Sequence, residues 1–297
     1  MAVTGLLMSA SMQALVQPVN LQCEYLVKPL GIDTWAPRLT WQLQDDRHGA
    51  VQKSYRLIVG TDSADVVRGN GAVWDSKETQ GSDMLSVYRG ARLEPFTRYF
   101  WRVEIRDMTG ELRPSEVSAF ETGMMAFQNN WHGYWIGDGE TTSGNGINVK
   151  PAPYFRKEFQ TSKRIRSARA YIAVAGLYEL YINGASIGDH RLDPMYTHFD
   201  RRTLYVTYDV TAALQNGKNA IGVLLGNGWY NLSSTAVWFF HRAPWRDRPQ
   251  FCLDLRITYD DGTTEIVKSD RDWTTALSPV IFNSIYTGEH YDARREQ

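Results

Sequence analysis

Two apolar runs, residues 170–174 and 178–182, stand close together in the chain, and the second ends in Asn183-Gly184. Both residues of a tight hairpin turn must take positive φ. Asn-Gly does so at least cost, so this stretch is constrained to antiparallel strands. A loop rich in polar and aromatic residues, 188–202, leads into the strand-like 204–208. A polar turn at Asp209-Val210-Thr211 and a second at Gly217-Lys218-Asn219 then precede a run, 220–225, that reads as buried. The segment closes on Gly226-Asn227-Gly228-Trp229-Tyr230. Short strands with loops gathered at one end predict a β-sandwich.

The rest of the chain follows the same pattern. Before residue 126, Leu21, Cys23 and Tyr25 alternate with polar residues, as do Leu39, Trp41 and Leu43, and then Tyr55, Leu57 and Val59. In 98–106, Tyr99, Trp101, Val103 and Ile105 share one strand face, while Arg98, Arg102, Glu104 and Arg106 share the other. Phe120-Glu121-Thr122-Gly123 closes the last strand of this half. Leu93-x-Pro95-x-Thr97-x-Tyr99 resembles the tyrosine corner of fibronectin type III domains, in which the phenol anchors the turn before a strand. Further on, Phe251, Leu253, Leu255, Ile257 and Tyr259 alternate without interruption, Asp260-Asp261-Gly262 turns the chain into 263–267, and Trp273 falls in the next strand. Helix cues are short: 63–68 and 211–215.

At 297 residues the chain has room for two domains. The expected class is all-β, with two β-sandwiches in tandem: a fibronectin type III or immunoglobulin-like one, then one resembling a jelly-roll carbohydrate-binding module. The divisions are a tail or secretory-signal remnant at 1–17, the first sandwich at 18–125, and a connecting segment at 126–150 that belongs to a further β-domain. The second sandwich spans 151–278, and the start of the following β-domain takes 279–297. A net charge of −1 offers no basic field for nucleic acid. No run of eighteen apolar residues predicts a membrane span. Residues 3–14 resemble the apolar core and small-residue exit of a secretory signal without its positive start, which points to an extracytoplasmic protein. Cys23 and Cys252 fall in different predicted domains, so no disulfide between them is expected.

Several of these pieces together resemble the N-terminal region of bacterial α-L-rhamnosidases. They are Tyr154-Phe-Arg-Lys-Glu-Phe159, Tyr181-Ile-Asn-Gly184, Gly188-Asp189, Tyr208-Asp-Val-Thr211, Asn219-x-Ile221-Gly222-Val223, Gly226-Asn-Gly-Trp-Tyr230 and, in 286–294, Tyr286-Thr-Gly-Glu-His-Tyr-Asp-Ala-Arg294. The resemblance implies a non-catalytic accessory region that binds or orients rhamnose-containing oligo- or polysaccharides, with hydrolysis done by an α/α-barrel domain C-terminal to it. No catalytic residue is assigned here, and no His-Glu-x-x-His motif is present. Two other readings stay open: structural β-domains without a ligand, and the sugar-binding domain of a β-galactosidase or β-glucuronidase-type enzyme.

A sugar site needs an aromatic face for C–H groups and polar forks for hydroxyls. Trp229, Tyr230 and Trp238 are candidates for the face, with Trp245 in the same stretch as Trp238. Asn227, Asp193, His198, Asp200 and His241 are candidates for the polar groups. Some members of the resembled family hold rhamnose through Ca2+, and Asp193, Asp200 and Asn227 are the candidate oxygen donors. Where that family often has Pro-Gly-Trp-Thr, this chain has Pro194-Met-Tyr-Thr197.

Overall fold

The computed structural model describes residues 16–140, 150–232 and 238–296. The signal-like stretch 3–14 and the loop 141–146 lie outside them. The chain forms two compact units, Met1–Asn130 and Trp131–Gln297, and the class is all-β.

Unit 1 is built from β1 (Gln17–Cys23), β2 (Arg38–Gln44), β3 (Gln52–Gly60), β4 (Trp74–Asp75), β5 (Thr79–Gln80), β6 (Leu85–Val87), β7 (Arg98–Asp107), β8 (Leu112–Pro114) and β9 (Ser118–Glu121). One sheet has the order β1-β2-β6. The other runs β4-β3-β7-β8, with β5 also on β3 and β9 on β7. The alternating residues read from sequence meet between the sheets: Leu39, Trp41, Leu57, Val59, Tyr99, Trp101, Val103 and Ile105 are all buried in one core. Tyr25 is the exception. It lies beyond β1 with φ of 64° and is exposed, its ring under the Arg38 guanidinium at 4.6 Å. The short helix cue is met by α1 (Ser63–Val67), capped by the Asp62 carboxylate accepting from the Asp65 amide at 2.9 Å.

The tyrosine corner is present. Tyr99 is buried and its hydroxyl accepts from the Glu94 N–H at 2.8 Å. Tyr99→Phe keeps the ring and strands that N–H, so it should lower the stability of unit 1 by about 1–3 kcal/mol. Urea melts of the two proteins measure this, and an unchanged midpoint would remove the corner from the account.

Unit 2 continues with β10 (Pro153–Thr161), β11 (Ile165–Ala175), β12 (Leu177–Ile182), β13 (Ala185–Ile187), β14 (Tyr205–Asp209), β15 (Gly217–Gly226), β16 (Gln250–Tyr259), β17 (Thr264–Lys268), β18 (Thr274–Leu277), β19 (Val280–Ser284) and β20 (Gly288–Tyr291). A five-stranded sheet, β13-β12-β15-β10-β18, and a four-stranded sheet, β14-β11-β16-β17, share one apolar core. Asn183 and Gly184 take φ of 52° and 83° at the β12–β13 turn, as their side chains allow. The 211–215 cue shortens to a single 3-10 turn, Thr211–Ala213. Trp273 sits just before β18, buried, with its ring 5.1 Å from Phe251.

The predicted inward face of β16 is buried throughout, but so are Cys252 and Asp254 on the opposite face. Residues 131–136 account for this. The Trp131 indole N–H bonds the Cys252 sulfur, the His132 N–H donates to Asp254 at 2.9 Å, and Ile136 pairs with Phe251. This stretch, set apart by sequence as part of a further β-domain, lies against the sandwich. Both cysteines are free, and burial pushes their thiols up, to about 12 at Cys23 and about 11 at Cys252. They are protonated and inert at neutral pH.

Candidate functional site

Three connections of unit 2 converge: the loop between β13 and β14, the segment between β15 and β16, and the β19–β20 turn. Each brings aromatic residues into one cluster. Phe240 is its buried hub, with ring centroids of Trp229 at 5.3 Å, Tyr196 at 5.8 Å, Trp238 at 6.1 Å and Trp245 at 6.2 Å. Tyr286, from the β19–β20 turn, meets the Trp229 ring edge-on at 5.7 Å. Phe199 bridges to buried Tyr230 at 5.3 Å. Burial pushes the Tyr230 phenol up, so this hydroxyl stays protonated.

Exposure sorts the cluster. Trp238 is 80% exposed and Phe239 is 64% exposed, and both hold φ near 50°. Two bulky non-glycine residues in the left-handed region cost backbone energy, and the result is two aromatic faces presented to solvent. Trp229, by contrast, is half-buried among three rings.

The polar candidates divide as well. His198 bonds the Asp200 carboxylate through Nδ1, and its ring stands 4.5 Å from Trp245. His241 has its ring 6.1 Å from Phe239, and its buried Nδ1 has no partner among the described residues. The buried indole N–H of Trp245 likewise has none among them. A desolvated donor lacking a partner is costly, and this one lies within the aromatic cluster. Asn227 is committed to the protein at both ends of its amide. Its Nδ2 donates to the Asn283 carbonyl at 3.0 Å and its Oδ1 accepts from Asn231 at 2.8 Å, while its backbone N–H donates to Asn283 Oδ1 at 2.6 Å. Asn227 thereby ties the β19–β20 hairpin, and Tyr286 with it, to the loop that holds Trp229.

Asp193 is placed apart from this group. Its carboxylate accepts from the Tyr208 hydroxyl at 3.4 Å and faces His190 Nδ1 at 3.3 Å. The Tyr208 hydroxyl in turn meets that of buried Tyr178 at 2.8 Å. Asp193 thus props the base of the loop, next to a cis bond to Pro194. As calcium donors, Asp193, Asp200 and Asn227 each serve a different set of protein partners. Among the described residues no three His, Cys, Asp or Glu side chains gather as a metal site.

Sequence reading named Trp229, Tyr230, Trp238, Trp245, His198, Asp200 and His241, which lie at this end of the sandwich, but it missed Tyr196, Phe199, Phe240 and Tyr286 as partners in one cluster. Aromatic density in 196–199 and 238–245 was the available signal for three of them. Tyr286 joins through a contact 57 residues away in sequence, between positions 229 and 286, that no local pattern encodes.

Residues 18–126 match the Rha78A-like, N-terminal immunoglobulin domain, and residues 163–297 match the Alpha-L-rhamnosidase N-terminal domain. An α-L-rhamnosidase of Formosa agariphila is 32% identical over 292 residues, a stretch that takes in 90% of this chain and 30% of that protein. The structure of an α-L-rhamnosidase from Dictyoglumus thermophilum aligns with a TM-score of 0.84 at 38% identity, covering 95% of this chain and 32% of that one. The enzyme from Aspergillus terreus aligns at 0.82 and 28% identity, over 95% of this chain and 32% of its own. The chain spans about 30% of the length of the curated relatives it matches first. It belongs to the α-L-rhamnosidase family, whose N-terminal domains it carries.

Proposed function

We propose that this chain is an accessory region of an α-L-rhamnosidase-type glycoside hydrolase. In this reading the aromatic loop end of unit 2 binds and orients rhamnose-containing glycans, and a catalytic domain outside these residues hydrolyses them. The observation that carries the reading is solvent-facing Trp238 in one cluster with the exposed His198–Asp200 pair, which reaches it through Trp245 and Phe240. A flat ring takes the C–H face of a deoxysugar, and polar groups such as that pair take its hydroxyls. Trp229 and Asn227 act by holding the loops in place. An extracytoplasmic location, in keeping with the signal-like residues 3–14, suits a polymeric substrate and belongs to the same proposal.

The purified chain is expected to leave an aryl α-L-rhamnoside intact, because none of its described elements supplies a helical barrel and no carboxylate pair in it is assigned to catalysis. Release of the aryl group that co-purifies with the chain through a further column would contradict this. Binding is tested by titrating L-rhamnose with and without calcium. A calcium-dependent heat would place an ion in the site.

A further inference from the structure

The outer face of the five-stranded sheet of unit 2 carries a groove unconnected with the aromatic loop end. One cleft of about 400 Å³ is lined by Tyr154, Arg156, Tyr181, Gly222, Leu224 and Thr274, among others. A second, of about 450 Å³, shares Arg156 and Ala220 with it and adds Glu158 and Lys218. Register explains the shape. Gly222 of β15 lies between Tyr181 of β12 and Arg156 of β10, with Ala220 and Leu224 to either side along the strand. Small residues on the middle strand make a floor, and the flanking strands raise its walls.

Gly222 is the informative residue. A Cβ built there would come no nearer than 3.6 Å to Phe155 O and 3.8 Å to Tyr181 Cβ, ordinary contacts. Its backbone is that of a regular strand, paired on both sides. Glycine weakens a strand interior, and where the protein's own packing does not require it, it marks close approach by something else. The groove carries charges of both signs: Arg156 bonds Glu158 at 2.6 Å, and Lys218 lines the second cleft. A surface without a strong field of one sign suits an uncharged partner. Tyr154 and Tyr181 stand two strands apart, about 10 Å, so their rings meet different units of a chain laid across the sheet. Tyrosine supplies an apolar face together with a polar tip.

We propose that this face is a second glycan site, taking an extended, uncharged polysaccharide across the strands, with Gly222 as the floor and Tyr154 and Tyr181 as the stacking faces. The test is affinity electrophoresis of the whole chain in native gels containing xyloglucan, galactomannan or arabinoxylan, with polygalacturonate as the charged arm. Xyloglucan contains no rhamnose, which keeps the loop-end site out of that readout. The expected result is several-fold retardation by at least one uncharged polymer, lost in Gly222→Leu and weakened in Tyr181→Ala, with the melting temperature of Tyr181→Ala confirming a folded protein. Retardation by none of the three, by polygalacturonate alone, or equally in wild type and both variants would overturn the proposal. So would a dimer, seen by light scattering, that Gly222→Leu dissolves, since the face would then belong to a second copy.

Discussion

Arg248→Met should lower the stability of unit 2 by about 3–5 kcal/mol, the usual loss when one partner of a buried ion pair is removed. Asp138 and Arg248 have side chains only 4% and 6% exposed. The Arg248 guanidinium reaches the Asp138 carboxylate through Nε at 3.1 Å and through a terminal nitrogen, which also donates to Pro151 O at 2.9 Å. This fork joins three points: the end of the stretch covering β16, the entry to β10, and the segment carrying Phe240 and Trp245. Methionine keeps much of the volume but leaves the Asp138 carboxylate without its cation. The double variant Asp138→Leu/Arg248→Met should recover a large part of the loss, because no charge is then buried alone. Urea denaturation followed by tryptophan fluorescence measures all three proteins. If the single and double variants are equally unstable, the pair's charge is not what holds the three points together.

Trp229→Ala and Trp238→Ala are expected to part company. Trp229 packs against Tyr196, Phe240 and Tyr286, so its removal opens a gap at the junction of three loops. The ring is half-buried, and the expected loss is about 2–3 kcal/mol, below that of a fully enclosed tryptophan. Trp238 has one described ring neighbour, Phe240 at 6.1 Å, and is 80% exposed. Its removal should leave the melting temperature unchanged while weakening L-rhamnose binding by about tenfold, or about 1.4 kcal/mol, the order of one lost aromatic contact. Thermal melts and sugar titrations on the same two variants separate the roles. A stable Trp229→Ala beside an unstable Trp238→Ala would exchange their assignments.

The parts of this fold that sequence disclosed are those in which local chemistry and global packing coincide. Asn183-Gly184 announces its hairpin because few other pairs tolerate two left-handed residues in succession. Tyr99 announces its corner because the Leu-x-Pro-x-Thr-x-Tyr spacing puts the phenol where Glu94 offers an N–H. β16 was legible on one face only. Burial of Cys252 and Asp254 depends on residues about 120 positions earlier in the chain, and period-two alternation carries no information about what covers a sheet's second face.

The candidate site shows the same division. Residues 226–230 and the aromatic loop residues read from sequence fall together at one end of the sandwich. The role of Asn227 was not legible, because an asparagine beside a tryptophan reads equally as a hydroxyl fork or as a loop clamp, and only the Asn283 contact, 56 residues on, decides between them. Phe240 was passed over for a related reason: a buried hub and a displayed ring look alike as letters.

The most direct test of the central claim is a calorimetric titration of the whole chain with L-rhamnose, run alongside Trp238→Ala. A saturable heat in the wild type, weakened about tenfold in the variant at an unchanged melting temperature, is the predicted result. No saturable heat in the wild type, or the same heat in both proteins, would contradict a sugar site at the aromatic loop end.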